Sequence, residues 1–269
     1  MGVIVLNIAL VVACSSFSLN DISWKKLDDG LFFAEVSAPI KSDIGESTIT
    51  ILRIDPSFYK FHLLCALEKQ TDRKTAKEWV EEEDLIAVVN AGMFQLGTLK
   101  SVGFMKNFEF TINPNLNKDN TILAFNRNTP GVPEIQIIDR KCQDWQTLKS
   151  AYHSFAQGIR MIDCNQRNMW IQQERRFSIV CIAIDQLGNV LFIFSRSPYS
   201  GHDLIRNMLL LPLDLHNAMY LEGGPEASLY IDYLDFKYGN MGSYEINFNE
   251  NDANDYFWDL PNVIGVTRK

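Results

Sequence analysis

Residues 220–229, with the sequence YLEGGPEASL, constrain the fold more than any other part of the chain. Apolar residues lead into Glu222 and then into Gly223 and Gly224. This is the pattern of a buried strand that places an acid at the edge of a sheet and then turns away. Glycine has no Cβ, so it adopts backbone angles that other residues avoid and lets a ligand approach the main chain closely. Glu222 is therefore either a turn-forming residue or a catalytic group.

A second segment repeats this pattern earlier in the chain. Residues 85–89, LIAVV, form a continuous apolar run that is typical of a strand buried on both faces. The run ends at Asn90, and Gly92 follows two residues later. A polar group and a flexible backbone again stand at a strand end, which indicates a second contribution to the same kind of site.

Residues 89–94 (VNAGMF) and 220–224 (YLEGG) resemble the two signature segments of the phosphodiester glycosidase family. The resemblance runs from about residue 85 to the end of the chain and includes residues 156–158, 176–184 and 261–266. It implies hydrolysis of a sugar 1-phosphodiester. The family usually has an aspartate before the paired glycines, whereas this chain has Glu222, followed by Pro225, Glu226 and Ala227 before Ser228. This departure leaves a different substrate or role open.

The resemblance implies a set of site residues. Glu222 is the candidate carboxylate that activates water or stabilises an oxocarbenium-like transition state. Asn90 offers a donor and an acceptor to sugar hydroxyls, and Arg176 stands near the position of a family arginine. The catalytic candidates are thus Glu222, Asn90 and Arg176, and the substrate-binding candidates are Gly92, Gln157, Arg160, Arg196, His202, Gly223, Gly224 and Ser228.

Several of these candidates also have an ordinary structural interpretation. Arg160, Arg176 and Arg196 stand near strand ends, where a guanidinium group suits phosphate oxygens, but each is equally compatible with a surface salt bridge. His202 is a candidate proton carrier beside Asp203, which fits the N-terminal cap of a following helix.

Composition excludes some classes of function. The chain has 269 residues, 46% hydrophobic and 22% charged, as expected for a globular protein with a substantial core. Its net charge is −8. Nucleic acid is therefore not an expected partner, because binding to a phosphate backbone requires a basic surface. The family resemblance implies a carbohydrate or sugar-phosphate substrate instead.

The N-terminus predicts export. Residues 3–13 form an apolar run that is too short to span a bilayer and resembles the core of a signal peptide. The run ends before Cys14 and two serines, as in a bacterial lipoprotein cleavage site. No Lys or Arg precedes it, so an ordinary signal peptide or a misplaced start codon remains an alternative. We expect a signal peptide over 1–13, a lipidated tether over 14–30 and the family domain over 31–269. The lipid anchor would place the protein at the outer membrane, facing the periplasm or the cell surface.

The four remaining cysteines predict one disulfide. Cys142 and Cys164 stand at the polar ends of segments and are the better pair for an oxidising compartment. Cys65 and Cys181 lie in apolar runs and are expected to be buried free thiols. No spacing indicates a metal site, so no cofactor is assigned, and a divalent metal requirement is left open.

The order of predicted elements favours an α+β fold: one domain with a mixed, mostly antiparallel sheet and a few flanking helices. Strands are predicted at 31–37, 47–54, 58–64, 85–89, 121–125, 134–138, 155–161, 177–184, 190–195 and 218–222. Helices are predicted at 75–84, with a cap near Asp72, at 145–152 and at 202–211.

Two functions are compatible with these observations. The first is an exported hydrolase that cleaves the glycosidic bond of a sugar 1-phosphodiester or a related glycoconjugate. The second is a non-catalytic glycan- or envelope-binding lipoprotein on the same scaffold, because a fold does not establish a chemistry. Convergence of Asn90, Glu222 and an arginine on one pocket would favour the enzyme.

Overall fold

Strands are the main regular secondary structure of the protein. The structure is a computed structural model that describes residues 22–269. The strands are β1 Lys25–Asp28, β2 Leu31–Ser37, β3 Thr48–Ile54, β4 Tyr59–Cys65, β5 Ala87–Asn90, β6 Met105–Asn107, β7 Phe110–Asn113, β8 Thr121–Arg127, β9 Ile135–Asp139, β10 Tyr152–Ile162, β11 Phe177–Asp185, β12 Val190–Tyr199, β13 Leu215–Gly223, β14 Ser228–Tyr233, β15 Phe236–Met241 and β16 Asn262–Arg268. The helices are α1 Ala66–Lys69, α2 Ala76–Glu83, α3 Trp145–Leu148 and α4 Gly201–Leu210, with a 3₁₀ turn at Gly224–Glu226.

The strands form two sheets. The larger has eleven strands, with the path β1-β2-β3-β12-β11-β13-β10-β6-β7 and with β8 and β9 attached through β10; the smaller has the order β15-β14-β5-β16-β4. Paired strands in the described residues are antiparallel throughout. The expected mostly antiparallel architecture with few helices is confirmed. The core has two sheets rather than the one expected, because β4, β5, β14, β15 and β16 pair with one another in a separate sheet.

The main core lies between the two sheets. Val180 and Phe192 of the larger sheet share a buried cluster with Val89, Leu229 and Ile264 of the smaller sheet. β11 is buried at every position and is therefore covered on both faces. The outer face of β11 packs against α4, which is why the amphipathic segment 202–211 forms a helix at that place.

Side-chain caps begin the helices α2, α3 and α4. Thr75 accepts a hydrogen bond from the amide of Glu78 while the Glu78 carboxylate accepts one from the Thr75 amide, so a capping box starts α2. The expected cap near Asp72 is therefore wrong by three residues. Ser200 caps α4 through the amide of Asp203. The predicted helix at 145–152 is only α3, because Tyr152 already begins β10.

A glycine sets the spacing of β10 and β13, which are neighbours in the larger sheet. A Cβ added to Gly158 would lie 2.5 Å from the carbonyl oxygen of Tyr220. Only glycine allows the two backbones to approach this closely. The 156–158 motif thereby brings β10 against the strand that carries Glu222.

The cysteines are arranged as the sequence predicts. Cys142 and Cys164 form a disulfide with their Cα atoms 6.5 Å apart, and Cys65 and Cys181 are buried free thiols. Burial raises the pKa of both thiols, so they are unreactive. Cys14 and the expected signal peptide lie outside the described residues, and β1 pairs with β2 within the range expected as a tether. No helix in residues 22–269 is long and apolar enough to cross a membrane.

We predict that the disulfide stabilises the domain. The bridged residues are 22 positions apart, and closing a loop of this size contributes about 3 kcal/mol. Replacing both Cys142 and Cys164 by Ser should lower the free energy of unfolding in urea by about this amount. A reductant should lower it similarly in the wild type and leave the double variant unchanged. Equal stability of the two proteins under oxidising conditions would contradict the prediction.

Candidate active site

Asn90 connects the two motifs. It is 1% exposed at the end of β5, beside β14. Its Nδ2 donates to the carbonyl oxygen of Glu226 (3.0 Å), and its Oδ1 accepts from the amide of Ser228 (2.8 Å). Both polar ends of the amide are thus occupied by the chain that follows Gly224. The geometry makes Asn90 a positioning residue rather than the predicted group that binds sugar hydroxyls.

Glu222 stands in a partly enclosed position at the end of β13. Leu221 points into the core between the sheets and Tyr220 into the cluster on the other face, and a β-bulge at this point pairs Glu222 with Val180, a residue of the core between the sheets. The Gly223 amide donates to Oε1 of Glu222 at 3.1 Å. Burial, with smaller effects of the neighbouring Glu226 and Glu245 carboxylates, raises the pKa of Glu222 to about 8. Glu222 is therefore mostly protonated at neutral pH, and it is suited to donate a proton.

The paired glycines make room for polar groups around Glu222. A Cβ on Gly223 would lie 2.5 Å from the Tyr220 hydroxyl and equally close to the Phe177 ring. Gly224 has a φ of +67°, and a Cβ there would collide with the Glu245 carboxylate. The motif needs glycine at both positions for steric reasons. The backbone of Gly224 is also in the left-handed region, which favours glycine.

Tyr220 is a site residue that the sequence reasoning missed. Its side chain is 7% exposed, and its ring packs against Phe177 (centroids 6.0 Å apart) and Trp170 (5.7 Å). Burial, reinforced by the negative charge of Glu222 and Glu245, raises its pKa well above the ordinary value. The hydroxyl therefore keeps its proton and remains a hydrogen-bond donor beside Gly223.

Arg175 and Glu245 complete the group of charged side chains. The Arg175 guanidinium forms an ion pair with Glu245 and lies over the Phe177 ring, 5.4 Å from its centroid. Burial and the charge of Glu245 raise the pKa of Glu226, while Arg73 opposes this effect. Arg175 is largely exposed, so its remaining N–H groups can bind a ligand anion.

A cavity of about 460 Å³ opens beside Trp170. Ile159, Arg160 and Trp170 line it, and Ile159 and Trp170 also pack against the apolar cluster that contains Tyr220. Glu222 does not line the cavity. The contact between the Trp170 and Tyr220 rings is its link to the segment that carries Glu222.

The structure places two predicted arginines away from Glu222. Arg176 is exposed and pairs with Asp43 at 2.9 Å. Arg196 pairs with Asp252 and donates to the carbonyl oxygens of Met241, Asp252 and Asn254. Arg196 therefore ties down the 241–254 loop, in agreement with its structural interpretation.

The remaining predicted site residues contact other groups of the protein itself. The Gln157 side chain bonds only to backbone groups of Phe104, Asn117 and Asp119. Ser228 is fully buried. Arg160 pairs with the buried Asp139, and its Nε is buried without a partner. His202 contacts Asp203 at 3.3 Å, and Gly92 has a φ of +132° beside the Gln157 carbonyl.

The residues that the sequence reasoning missed had detectable signals. Side chains two positions apart in an extended segment share a face, so counting back from Phe177 selects Arg175 rather than Arg176. Tyr220 is the first residue of the motif 220–229 that contains Glu222. Glu226 stood inside the motif itself, whereas Glu245 had no signal because it arrives from a distant loop.

The described residues contain one group of three side chains with metal-ligating atoms, namely Asp139, Cys142 and Cys164. Two of its members are joined in the disulfide and have no thiolate to offer. This group therefore indicates a structural link and not a metal centre.

Comparisons with known proteins identify the family of the chain and relatives of its fold. A family model described as phosphodiester glycosidase matches residues 83–267. No curated protein matches the sequence. The fold is similar to that of a hypothetical protein from Synechocystis (TM-score 0.60, 14% identity), covering 93% of this chain and 64%, less than two thirds, of that protein.

The fold is also similar to the zebrafish N-acetylglucosamine-1-phosphodiester alpha-N-acetylglucosaminidase catalytic domain, auto-inhibited by its pro-peptide. The TM-score is 0.61 at 9% identity, over 89% of this chain and 82% of that domain. At these identities the two structures support the fold alone. The two signature segments meet through the hydrogen bonds of the Asn90 side chain. Because the family model covers more than half of the chain, this chain belongs to the phosphodiester glycosidase family.

Proposed function

We propose that this protein is a hydrolase that cleaves the glycosidic bond of a sugar 1-phosphodiester or a related glycoconjugate. The observation that carries the proposal is the position of Glu222. It is a carboxyl group of raised pKa at the end of β13, with the Glu226 and Glu245 carboxyl groups near it and Arg175 paired with Glu245. A carboxyl group whose pKa is raised by burial and by neighbouring carboxylates is typical of a site of acid–base catalysis.

The geometry supports a division of roles. Breaking the bond between the anomeric carbon and the phosphate oxygen produces an oxocarbenium-like transition state. The Glu222 carboxyl donates its proton to the departing oxygen, and Arg175 stabilises the charge on the phosphate. Glu245, which forms an ion pair with Arg175, accepts the proton of the attacking water. Tyr220 donates a hydrogen bond within the same group.

Protonation of Glu222 also helps an anionic substrate to bind. Glu222, Glu226 and Glu245 would repel a phosphodiester if all three were ionised. A neutral Glu222 removes part of this repulsion and leaves Arg175 as the attractive charge. Binding of the phosphate group therefore depends on the Glu222 proton, which is also the proton donated in the reaction.

The second candidate function is a non-catalytic glycan-binding protein. This alternative is favoured by Asn90, because its side-chain amide donates to one backbone group and accepts from another instead of facing a substrate with Glu222. The two functions are distinguished by incubating the purified protein with a panel of sugar 1-phosphodiesters, with and without a chelator. Release of free sugar supports the hydrolase, and saturable binding of glycans without release supports the alternative.

We further propose that the protein is exported, with a signal peptide over 1–13 and a lipid on Cys14 that anchors it to the outer membrane, facing the periplasm or the cell surface. The disulfide supports this proposal, because such bonds persist in oxidising compartments. Mass spectrometry of the mature protein should show acyl chains on an N-terminal Cys14. An unmodified Cys14, or cleavage at another position, would contradict the anchor and leave export open.

We predict that Glu222→Gln reduces turnover by at least about a hundredfold, because the amide cannot supply a proton. In the wild type, the activity of the enzyme–substrate complex should fall as the pH rises through about 8, where Glu222 ionises. Steady-state kinetics over a pH series measures both effects. A fully active Glu222→Gln protein would place the chemistry elsewhere.

The raised pKa of Glu222 also provides a folding control for the Glu222→Gln variant. The pKa of Glu222 in the folded protein, about 8, exceeds the ordinary value of 4.5, so folding favours the protonated form. This stabilisation is complete below about pH 4.5 and is lost as the pH rises towards 8. The melting temperature of Glu222→Gln should therefore depend less on pH over that range than that of the wild type.

We predict that Arg175 and not Arg176 binds the phosphate group. Arg175→Gln should raise KM for a sugar 1-phosphodiester by about tenfold, the effect of one charged hydrogen bond. Arg176→Gln, the matched control on the adjacent residue, should change KM little, because its guanidinium pairs with the exposed Asp43. The opposite result would restore the assignment of Arg176 made from the sequence.

A further inference from the structure

A second cavity, of about 530 Å³, opens between β4 of the smaller sheet and the strands β8 and β10 of the larger sheet. Phe61 and Phe125, both buried, form its floor. Charged and aromatic side chains form its rim: Lys60, Phe108, Arg127, Glu134, His153 and Lys269. Its residues take no part in the site around Glu222.

This cavity is distant from the candidate active site. His153 lines it from the beginning of β10, whereas Ile159, on the same strand, pairs with Tyr220. Six residues of extended strand span about 20 Å. A ligand of the size of one sugar unit therefore cannot occupy both sites.

Phe108 is held at the rim in a conformation that its side chain disfavours. Asn107 and Phe110 pair across a two-residue hairpin turn, so Phe108 and Glu109 are its central residues. Phe108 has a φ of +47° and Glu109 does not have a positive φ. This is the pattern of a type II′ turn, in which glycine is preferred at the first central position. An aromatic residue there destabilises the fold, and such outliers concentrate at functional sites.

The turn presents one face of the Phe108 ring. The ring stacks on His153 with an interplanar angle of 17° and a centroid distance of 5.3 Å, yet the residue is 47% exposed. His153 covers one face, and the other is open. The face of an aromatic ring carries partial negative charge and attracts the polarised C–H groups on one side of a sugar ring.

The charge of the rim is positive, in a protein with a net charge of −8. Glu134 pairs with both Arg127 (2.6 Å) and Lys269 (3.6 Å), so one carboxylate balances two cations. Lys60 adds a third cation from the exposed side of β4. The excess of positive charge fits an anionic group on the ligand.

We propose that this cavity is a second carbohydrate-binding site, which takes a sugar unit bearing a carboxylate or phosphate. The ring packs on the open face of Phe108, and its anionic group contacts Lys60 and Arg127. The site would hold an anionic glycan independently of the chemistry at Glu222, so it does not depend on the proposed hydrolase function.

The test is isothermal titration calorimetry of the full chain with glucuronate, glucose 6-phosphate, glucose, inorganic phosphate and adenosine monophosphate. Both anionic sugars should bind saturably, and glucose and inorganic phosphate at least about tenfold more weakly. Phe108→Gly should weaken binding at least tenfold without lowering the melting temperature, because glycine suits the turn. Lys60→Ala should also weaken binding about tenfold.

The matched controls are Phe110→Ala, an exposed phenylalanine outside the cavity, and Lys141→Ala, an exposed lysine on another surface. Both should bind like the wild type. Absence of saturable binding of either anionic sugar, or unchanged binding in Phe108→Gly and Lys60→Ala, would overturn the proposal. Equally tight binding of inorganic phosphate would show a plain anion site instead, and tighter binding of adenosine monophosphate a nucleotide site.

Discussion

The two hydrogen bonds of the Asn90 amide are the interaction on which the candidate site depends. They join the end of β5, in the smaller sheet, to the segment that leaves β13 of the larger sheet. Because both groups are buried, removing either partner leaves an unsatisfied polar atom, which costs about 1–3 kcal/mol. The position of Glu222 is thereby fixed relative to both sheets. An amide at the end of a buried strand thus orders the segment that follows Glu222.

The chemistry of the site follows from placing several carboxyl groups in a partly enclosed space. Burial disfavours the ionised form of Glu222, and the Glu226 and Glu245 charges add to this effect. Glu245 forms an ion pair with the Arg175 guanidinium. The replacement of the family's usual aspartate by a glutamate is compatible with this arrangement, since the longer side chain folds back to the Gly223 amide.

Local patterns predicted the site only in part. The apolar runs before Asn90 and Glu222 predicted their strands correctly, and Gly223 and Gly224 marked a turn that only glycine can form. The functions of Asn90 and Arg176 depended on where their side chains point, which is decided by the packing of two sheets against each other. Glu245 arrives through a contact across about seventy residues of sequence from Arg175, and single-sequence patterns contain no information on such a pairing. The smaller sheet was missed for the same reason, since β5 pairs with β14 and β16 from the far end of the chain.

The ionisation of Glu222 is the property from which the proposed chemistry follows. It can be measured directly by ¹³C NMR of the glutamate side-chain carboxyls over a pH series, with the Glu222 resonance assigned by its absence in Glu222→Gln. A midpoint near 8 is expected for the folded protein. A midpoint near the ordinary value of 4.5 would contradict a protonated Glu222 and with it the proton-donor role.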